Sequence, residues 1–334
     1  MSEDIAIDLG TANVIIYIKG KGIVLREPSM VAVNKDTKEV IAIGNEASKM
    51  LGRTPNNIEV IKPLKDGVIS NFTLTGKMLR HYINKACKSK FFPPRIMICV
   101  PSQITEVEKR AVIDVAMQSG AKRVYLIEEP VAAAIGAGID IAKPSGNLVI
   151  DIGGGTTDIA VISMGSSVMS TSVKVAGNRF DQTLIRLLKR RYRTLIGERT
   201  AEQIKMSVGC VYPRVENIGM KVRGRSLTTG LPVEIEVGSK DVMQALLNDS
   251  LKIVDAVKNT IEKTPPELVE DISNNGIYMT GGGSLLYGMD KLIEKSTGIS
   301  VIVPDDAISC VAIGTGKALN NLDLLDAKSR NGKG

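Results

Sequence analysis

Two short strings contain residue types that suit the binding of a phosphate chain: DLGTAN at residues 8–13 and DIGGGTTD at residues 151–158. In each string an aspartate is followed by glycine and then by threonine or asparagine. Glycine lets backbone N–H groups converge on phosphate oxygens, because no Cβ blocks the approach. Asp8 and Asp151 would repel phosphate directly, so they suit such a site only through a hydrated Mg²⁺ ion, which keeps several of its waters. The two strings together therefore predict a phosphate clamp with Mg²⁺.

A hairpin turn that simply needs glycine is the alternative explanation of either string. One string alone would favour that alternative, whereas two strings in similar settings favour the clamp. The sequence has no GxxxxGK[ST] motif, so the clamp is not a Walker A loop. A third glycine run, TGGGSLLYG at residues 280–288, follows an apolar stretch. Its backbone could lie flat against an adenosine, and a plain strand-to-helix turn explains it equally well.

The string EEPVAAAIG at residues 128–136 supplies a candidate catalytic carboxylate. Glu129 stands just before Pro130, where a strand is expected to end and a helix to begin. A carboxylate held near a γ-phosphate could orient or deprotonate an attacking water. From the residues alone, a solvated strand end is the better explanation of Glu128 and Glu129.

Composition argues against several other kinds of site. The 334 residues include four cysteines without a CxxC pair and one histidine, which argues against a zinc site, a disulfide framework and a histidine triad. The net charge of +7 is ordinary for this length, and an anionic partner is its functional interpretation. Aromatic residues are few, which argues against a nucleic-acid groove. The acidic start and the lack of a long apolar run predict a cytoplasmic protein without a signal peptide or membrane-spanning helix.

The order of apolar runs and turn residues predicts an α/β protein. Strands are expected at residues 4–8, 13–18, 30–33, 96–100, 124–127, 148–152, 159–163 and 277–280. Helices are expected at 131–138, 184–193 and 242–263, and after a capping box formed by Thr105 and Glu108. The apolar face of that capped helix should comprise Val107, Ala111, Val112, Val115 and Ala116. Both halves begin with a strand ending in Asp, a Gly/Thr turn and a returning strand, which predicts a duplicated α/β domain.

The motifs follow the order of the nucleotide signature of the actin/Hsp70/sugar-kinase superfamily, and longer strings are more specific. The chain resembles the MreB/Mbl family of bacterial actin homologues in GTAN (10–13), KGKGIVLREPS (19–29), PLKDGVI (63–69), GERTAEQIK (197–205), TGLP (229–232), EKTPPEL (262–268) and CVAIGTGKAL (310–319). This resemblance covers essentially the whole chain. It implies an actin-like fold, in which duplicated RNase H-like domains surround a central nucleotide cleft and carry two smaller inserted subdomains. The expected subdomains are IA (1–32, 66–143 and 314–334), IB (33–65), IIA (144–179 and 251–313) and IIB (180–250).

The resemblance also implies roles for single residues, with ATP and Mg²⁺ as cofactors. Phosphate loops would be formed by Thr11, Ala12 and Asn13, and by Gly154, Gly155 and Thr156. Hydrated Mg²⁺ would be held by Asp8 and Asp151, and the hydrolytic water would be positioned by Glu129 with help from Thr156. The nucleoside would be contacted by Glu202, Gln203, Ile204 and Lys205, and by Thr280, Gly281, Gly282 and Gly283.

The string KSKFFPPR at residues 88–95 places two phenylalanines in a proline-rich turn between basic residues. By resemblance, Phe91 and Phe92 form a membrane-insertion loop; rings that pack onto the core are the alternative. Burying one phenylalanine contributes roughly 2–3 kcal/mol, and each basic residue adds about 1 kcal/mol at an anionic leaflet. A single chain would bind weakly, and a filament would bind tightly through avidity. The basic string KRRYR at 189–193 is predicted to be a solvated helix face, with a filament or anionic-lipid contact as the alternative.

Three functions compete at this stage. The first is a slow, polymerising ATPase that forms filaments under the inner membrane and organises the cell-wall elongation machinery to maintain cell shape. The second is a small-molecule kinase of the sugar-kinase type with the same clamp, for which the sequence offers no catalytic-aspartate motif. The third is a chaperone ATPase, whose nucleotide domain alone would exceed this chain in length. The resemblance favours the polymerising ATPase.

Overall fold

The computed structural model describes residues 3–87 and 92–322. The chain divides into two compact units. The first unit comprises Met1–Pro144, Ile162–Ser167 and Ile308–Gly334, and the second comprises Ser145–Val161 and Val168–Ala307. The finer division into four subdomains remains a prediction.

Strands and helices alternate through most of the described chain. The strands are β1 (Asp4–Leu9), β2 (Asn13–Ile18), β3 (Gly22–Pro28), β4 (Val31–Asn34), β5 (Val40–Ile43), β6 (Ile58–Ile61), β7 (Leu64–Lys65), β8 (Val68–Ile69), β9 (Arg95–Val100), β10 (Arg123–Glu128), β11 (Asn147–Ile152), β12 (Thr157–Ser163), β13 (Ser166–Val173), β14 (Thr194–Leu195), β15 (Gly219–Ser226), β16 (Pro232–Gly238), β17 (Ile277–Thr280) and β18 (Val301–Ile302). The α-helices are α1 (Asn45–Met50), α2 (Phe72–Ala86), α3 (Glu106–Gln118), α4 (Glu129–Gly136), α5 (Gly177–Arg191), α6 (Glu198–Val208), α7 (Ser239–Glu262), α8 (Pro266–Asn275), α9 (Met289–Thr297) and α10 (Cys310–Ala318). Short 3₁₀ turns cover Gly282–Leu285, Ala307–Ser309 and Leu319–Asn321.

The first unit is built on a five-stranded mixed sheet with the order β3-β2-β1-β9-β10. Strand β1 pairs antiparallel with β2 and parallel with β9, and β9 pairs parallel with β10. Apolar side chains of β1 and β9 are fully buried with residues of α2 and α3, so one core supports the strand ends. The parallel strands β1, β9 and β10 therefore end along the same edge of the sheet.

The second unit contains a sheet with the same topology, in the order β13-β12-β11-β17-β18. Its first strand, β11, again lies between the returning strand and a parallel strand from later in the chain, β17. Strand β18 pairs parallel with β17, as β10 does with β9. The duplicated α/β domain predicted from the two Asp-Gly strings is confirmed by this shared strand order.

Each unit also carries a small three-stranded sheet. In the first unit it is β5-β4-β6, with helix α1 against it, and in the second it is β14-β15-β16, with α5 and α6 against it. Two smaller inserted elements were expected from the resemblance, and the structure has them. Among the described residues, no helix combines the length and apolar character needed to cross a membrane.

The predicted helices are present, with two corrections. The capping box of α3 is formed, because Glu108 N donates to Thr105 Oγ1 and the Glu108 carboxylate accepts from Thr105 N. Val107, however, is 79% exposed, so its assignment to the apolar face was wrong; the buried face begins at Val112. At helical spacing Val107 points away from the face that Val112, Val115 and Ala116 bury, so it faces solvent although it is apolar.

The second correction concerns α5, which was expected at 184–193 and begins at Gly177. Its buried face already includes Phe180, which precedes Leu184 and Leu188 at helical spacing. The glycine at its start does not look helical in sequence. The helix begins there because its first amides find acceptors in a loop that is distant in sequence, at Gly153 and Gly154.

Candidate functional site

In the first unit, the predicted carboxylates lie at or just after the ends of neighbouring parallel strands. Ile7 pairs with Ile98, which places Asp8 next to Cys99 on the neighbouring strand. Glu128 pairs with Val100, and Glu129 follows as the first residue of α4. Ligands of open α/β sheets bind beyond the carboxyl ends of such strands. The structure thus brings Asp8 and Glu129 to one sheet edge, although they are far apart in sequence.

The carboxylate of Asp8 is held in a largely desolvated position. Burial raises its pKa from the ordinary 3.8 to about 6, although the Cys99 thiol and the positive charge of Arg26 both favour the ionised form. Cys99 Sγ donates to Asp8 Oδ1 at 3.5 Å. Burial and the charges of Asp8 and Glu129 raise the pKa of the Cys99 thiol well above its ordinary value. A cation beside Asp8 would relieve the unfavourable burial of its charge, so the position suits Mg²⁺.

The first glycine loop is fixed by contacts from outside it. The Ser29 hydroxyl donates to Gly10 O at 2.5 Å, and Ser29 N donates to Ala12 O at 2.9 Å. A Cβ on Gly10 would lie 2.8 Å from Asn13 O, so only glycine allows this tight turn. Thr11 is buried, Ala12 is half-buried and Asn13 is exposed. These contacts therefore fix the conformation of the loop, and Asn13 is its solvent-exposed end.

A β-turn between β7 and β8 supports the same loop. Asp66 and Gly67 both have positive φ, 49° and 78°, as in the type I′ turn typical of a two-residue hairpin. Gly67 N donates to Thr11 Oγ1 at 3.0 Å. The Thr11 hydroxyl is therefore already used as an acceptor within the first unit.

Helix α4, which begins with Glu129, is locked by close packing against α10. A Cβ on Gly314 would lie 1.7 Å from Ala132 O, and a Cβ on Gly136 would lie 1.9 Å from Cys310 O. The two helices therefore approach backbone to backbone, which only glycine permits at these positions. The preceding Glu128 accepts a hydrogen bond from the Ser167 hydroxyl at 2.7 Å. Glu128 is thus not the solvated residue of the alternative explanation, and Glu129 stands on a rigid support.

In the second unit, Asp151 lies near the end of β11 and is 6% exposed. It pairs in register with Thr280 on β17, and the Thr280 hydroxyl donates to Asp151 Oδ1 at 2.7 Å. Thr280 is fully buried. Its side chain therefore orients the aspartate, and its hydroxyl donor is used within the second unit.

The second glycine loop is closed on itself and onto α5. Gly153 N donates to Thr156 O at 2.9 Å. The first amides of α5 donate to the loop carbonyls, from Gly177 to Gly153 at 3.1 Å and from Asn178 to Gly154 at 2.8 Å. The carbonyls of Gly153 and Gly154 therefore fix the loop against the start of α5. Gly155 and Thr156 are buried, and Gly154 is half-buried.

The three glycines of the third run differ in whether a Cβ would fit at their positions. Gly281 has φ +80°, and a Cβ on it would lie 2.4 Å from Ile152 O and 2.9 Å from Asp151 Oδ1. Gly283 is restricted too, because a Cβ would lie 2.3 Å from Ile152 Cγ2. Gly282 is exposed, and apart from its neighbours along the chain no atom of the described residues lies within 4 Å of its Cβ position. Gly282 is thus the position at which a flat ligand could approach the backbone.

These contacts predict opposite outcomes for alanine at neighbouring positions. Gly281→Ala should lower the free energy of unfolding by about 2–4 kcal/mol, because a positive φ and a backbone clash combine. Gly282→Ala is the matched control and should change it by less than about 0.5 kcal/mol. Urea unfolding of both variants measures the difference. Equal stability of the two variants would contradict the assigned geometry.

The residues predicted on α6 are divided between surface and core. Glu202 and Gln203 are exposed, whereas Ile204 is fully buried in the hydrophobic core, so its side chain is unavailable to a nucleoside. Lys205 Nζ contacts Asp181 Oδ1 at 2.9 Å and donates to Gly177 O at 3.2 Å. Lys205 therefore ties α6 to the start of α5, beside the second glycine loop.

Sequence reasoning missed the residues that hold the predicted ones in place. They are Cys99, Asp181, Ser29 and Gly67, each from a different part of its unit. The strings LREPS and PLKDGVI contain Ser29 and Gly67 but served only to establish a resemblance. A DG pair between apolar residues is a hairpin signal that could have located Gly67.

Of the predicted membrane residues, Phe91 lies outside the described residues, and Phe92 is 57% exposed. Arg95, one of the basic residues expected to flank the turn, forms a two-pronged ion pair with Asp4, at 2.8 and 2.7 Å. Within residues 3–87 and 92–322, no group of three or more His, Cys, Asp or Glu side chains is placed to bind a metal directly. The basic string 189–193 forms the last turn of α5 and its cap, where Arg191 pairs with Asp241 at 2.9 Å.

Comparison with known proteins agrees with this architecture. The chain is 53% identical over 325 residues to the cell shape-determining protein Mbl of Bacillus subtilis (strain 168), covering 97% of this chain and 98% of the relative. It is 49% identical over 329 residues to the cell shape-determining protein MreB of Escherichia coli (strain K12), covering 97% and 95%. These likenesses extend over nearly the full length of all three chains.

Solved structures show the same fold. MreB5 of Spiroplasma citri bound to ADP superimposes with a TM-score of 0.92 at 39% identity, covering 96% of this chain and 97% of that one. The same protein bound to AMPPNP gives 0.92 at 38%, covering 99% of each. The family model described as MreB/Mbl protein matches residues 2–327. This chain, with its actin-like fold, belongs to the MreB/Mbl family.

Proposed function

We propose that this protein is a nucleotide-dependent, filament-forming protein that determines cell shape. The observation that carries the proposal is the repeated architecture: each unit presents an Asp-headed glycine loop at the carboxyl ends of its parallel strands. Family membership supports it, since the relatives are named as cell shape-determining proteins. That MreB5 of S. citri was solved with ADP and with AMPPNP supports a nucleotide as the ligand of these loops.

The ligand would be ATP with Mg²⁺. Backbone amides of residues 11–13 and 154–156 would donate to phosphate oxygens. Asp8 and Asp151 fit a hydrated Mg²⁺, because each carboxylate is mostly withdrawn from bulk water beside a glycine loop; when bound, the ion would neutralise phosphate charge. Glu129 would orient the attacking water, and the Thr156 hydroxyl would assist it. Hydrolysis would be slow and would serve filament turnover.

ATP would act by shifting a conformational equilibrium towards the state that polymerises. Filament formation would not require hydrolysis of ATP, so the protein should polymerise both with ATP and with a non-hydrolysable analogue. Hydrolysis would then weaken the contacts between subunits. The family assignment favours this account over the sugar-kinase alternative.

A sedimentation assay tests the proposal. Purified protein should enter the pellet with Mg-ATP or Mg-AMPPNP and remain in the supernatant with ADP. Hexose should not accelerate ADP release. Hexose-dependent ADP release without sedimentation under any nucleotide condition would instead establish the kinase.

The proposed location is the inner face of the cell membrane, where filaments would organise the cell-wall elongation machinery. The exposed ring of Phe92 supports a membrane contact, since burial in lipid would remove it from water. Filaments would bind more tightly than single chains, because many loops engage one surface.

Replacing Phe91 and Phe92 together by alanine should reduce binding to anionic vesicles at least about tenfold, because roughly 2–3 kcal/mol per ring is lost. Nucleotide binding should be unchanged. Phe72→Ala is the matched control, since Phe72 is 37% exposed at the start of α2, and it should bind vesicles normally. Vesicle co-sedimentation measures both; normal binding by the double variant would place the anchor elsewhere.

A further inference from the structure

The second unit carries a surface of stacked cations and tyrosines outside the residues proposed to contact the nucleotide, although one of its tyrosines, Tyr287, ends the third glycine run. It consists of Tyr212, Arg214, Tyr287, Lys291 and Lys295, and is called here the lysine–tyrosine surface. The Arg214 guanidinium carbon lies 3.9 Å from the centroid of the Tyr287 ring, and Lys291 Nζ lies 5.5 Å from the same centroid. Lys295 Nζ lies 5.9 Å from the centroid of the Tyr212 ring.

Backbone contacts join the two chain segments that carry this surface. Val211 N donates to Tyr287 O at 3.0 Å, and residues 210 and 287 form a parallel bridge. Gly288 has φ +79°, and a Cβ on it would lie 2.3 Å from Tyr212 Cβ, so glycine is needed for the two segments to meet. Arg214 also donates to Gly209 O at 3.1 Å. The two rings are therefore held in place by backbone contacts.

The charges on this surface are not compensated. Across the described parts of the chain, none of Arg214, Lys291 and Lys295 forms an ion pair with a carboxylate, unlike Lys205 and Lys252 in the same unit. The nearby Glu294 carboxylate accepts from Val301 N at 2.9 Å. Among the described residues the buried Nε of Arg214 has no hydrogen-bond partner, and the positive charge of Arg214 favours the ionised form of the Cys210 thiol beside it. Three like charges on one rigid platform repel one another, and an anionic ligand would relieve that repulsion.

Two exposed apolar side chains lie near the residues of this surface in sequence. Leu285 is 57% exposed, two residues before Tyr287, and Val215 is fully exposed, directly after Arg214. Carboxylates interspersed with an apolar side chain would match this combination. Nucleic-acid bases would need open ring faces for stacking, and here cations already lie over the rings.

We propose that the lysine–tyrosine surface binds an acidic, leucine-containing segment of a partner protein. Its carboxylates would pair with Lys291, Lys295 and Arg214, and its apolar side chain would pack on Leu285 and Val215. Such a contact would be strongly dependent on salt and would recruit a partner independently of nucleotide.

The probe is a fluorescein-labelled synthetic peptide of repeated Glu-Glu-Leu triplets, titrated with the full-length protein and followed by fluorescence anisotropy. Lys291→Glu with Lys295→Glu should weaken binding at least about tenfold, and raised salt should weaken binding of the unmodified protein. Lys258→Glu with Lys263→Glu is the matched control, because both lysines are exposed on or just after α7 in the same unit and the charge change is equal. Circular dichroism verifies that each variant is folded.

A loss of peptide binding in Lys291→Glu with Lys295→Glu, but not in the control variant, supports the proposal. Tyr287→Leu should then weaken peptide binding as well, because it removes the ring on which Arg214 and Lys291 lie. Equal loss in the site and control variants would overturn it, since only net charge would then matter. Failure of the unmodified protein to bind the peptide would also overturn it. The proposal would also be overturned if the protein bound phosphatidylglycerol vesicles through Lys291 and Lys295 and did not bind the peptide.

Discussion

Replacing Asp151 by asparagine is expected to abolish Mg²⁺-dependent nucleotide binding and to leave the second unit folded. Asparagine keeps an oxygen that can accept from the Thr280 hydroxyl, which now donates to Asp151 Oδ1 at 2.7 Å. It removes the negative charge that a hydrated Mg²⁺ requires. ATP affinity measured with Mg²⁺ should fall about 100-fold, whereas the value measured with EDTA should not fall, because without Mg²⁺ the charge of Asp151 repels phosphate.

The matched control for this change is Asp271→Asn. Asp271 Oδ2 accepts from Gly146 N at 2.7 Å in the same unit, so this variant loses an equivalent charge and keeps an equivalent acceptor. Its nucleotide affinity should equal that of the unmodified protein. Full Mg²⁺-dependent affinity in Asp151→Asn would remove Asp151 from the proposed metal site.

Replacing Asp8 by asparagine is expected to stabilise the nucleotide-free protein while removing its response to Mg²⁺. Burial raises the pKa of Asp8 to about 6, so the folded state holds this proton more tightly than the unfolded state does. Ionisation of Asp8 therefore lowers stability above pH 6, and this loss disappears as the pH falls from 6 towards 3.8. Asparagine avoids the charge and should raise the free energy of unfolding by about 1–2 kcal/mol at pH 7.

Asp4→Asn, on the same strand, is a control that should change the free energy of unfolding in the opposite direction. Asp4 forms a two-pronged ion pair with Arg95, so its loss should destabilise the protein by about 1–3 kcal/mol. Urea unfolding at pH 7 and at pH 4.5 compares both variants with the unmodified protein. The advantage of Asp8→Asn should shrink at the lower pH; an advantage that grew there, or a loss of stability at pH 7, would contradict the assigned burial.

Sequence reasoning located the features that depend on local pattern. The strings headed by Asp8 and Asp151 each begin at the end of a β-branched run, so both the strand and the glycine turn could be predicted from neighbouring residues. Their similarity also predicted the duplication, which the shared strand order confirms. The capping box of α3 could be predicted for the same reason, since Thr105 and Glu108 are three residues apart.

Features set by distant partners could not be predicted in this way. The carboxylate of Asp8 accepts from Cys99 on another strand, and the orientation of Asp151 depends on Thr280. Helix α5 begins earlier than its pattern suggests, because loop carbonyls at Gly153 and Gly154 accept from its first amides. These contacts join residues that no sequence spacing connects.

The sequence pattern alone also could not predict which side chains of a helix are buried. Ile204 stands between polar residues of α6 and is fully buried, so it supports the helix and cannot line a nucleoside with its side chain. Val107 is apolar yet exposed at the first turn of α3. In both cases the direction of the helix relative to its unit's core decides the outcome, and that direction is a tertiary property.

Electron microscopy of the purified protein on an anionic lipid monolayer tests the central claim most directly. With Mg-ATP, the account predicts filaments lying on the lipid, and their loss with Asp151→Asn. Monodisperse particles under every nucleotide condition, from protein that binds ATP normally, would contradict a filament-forming function.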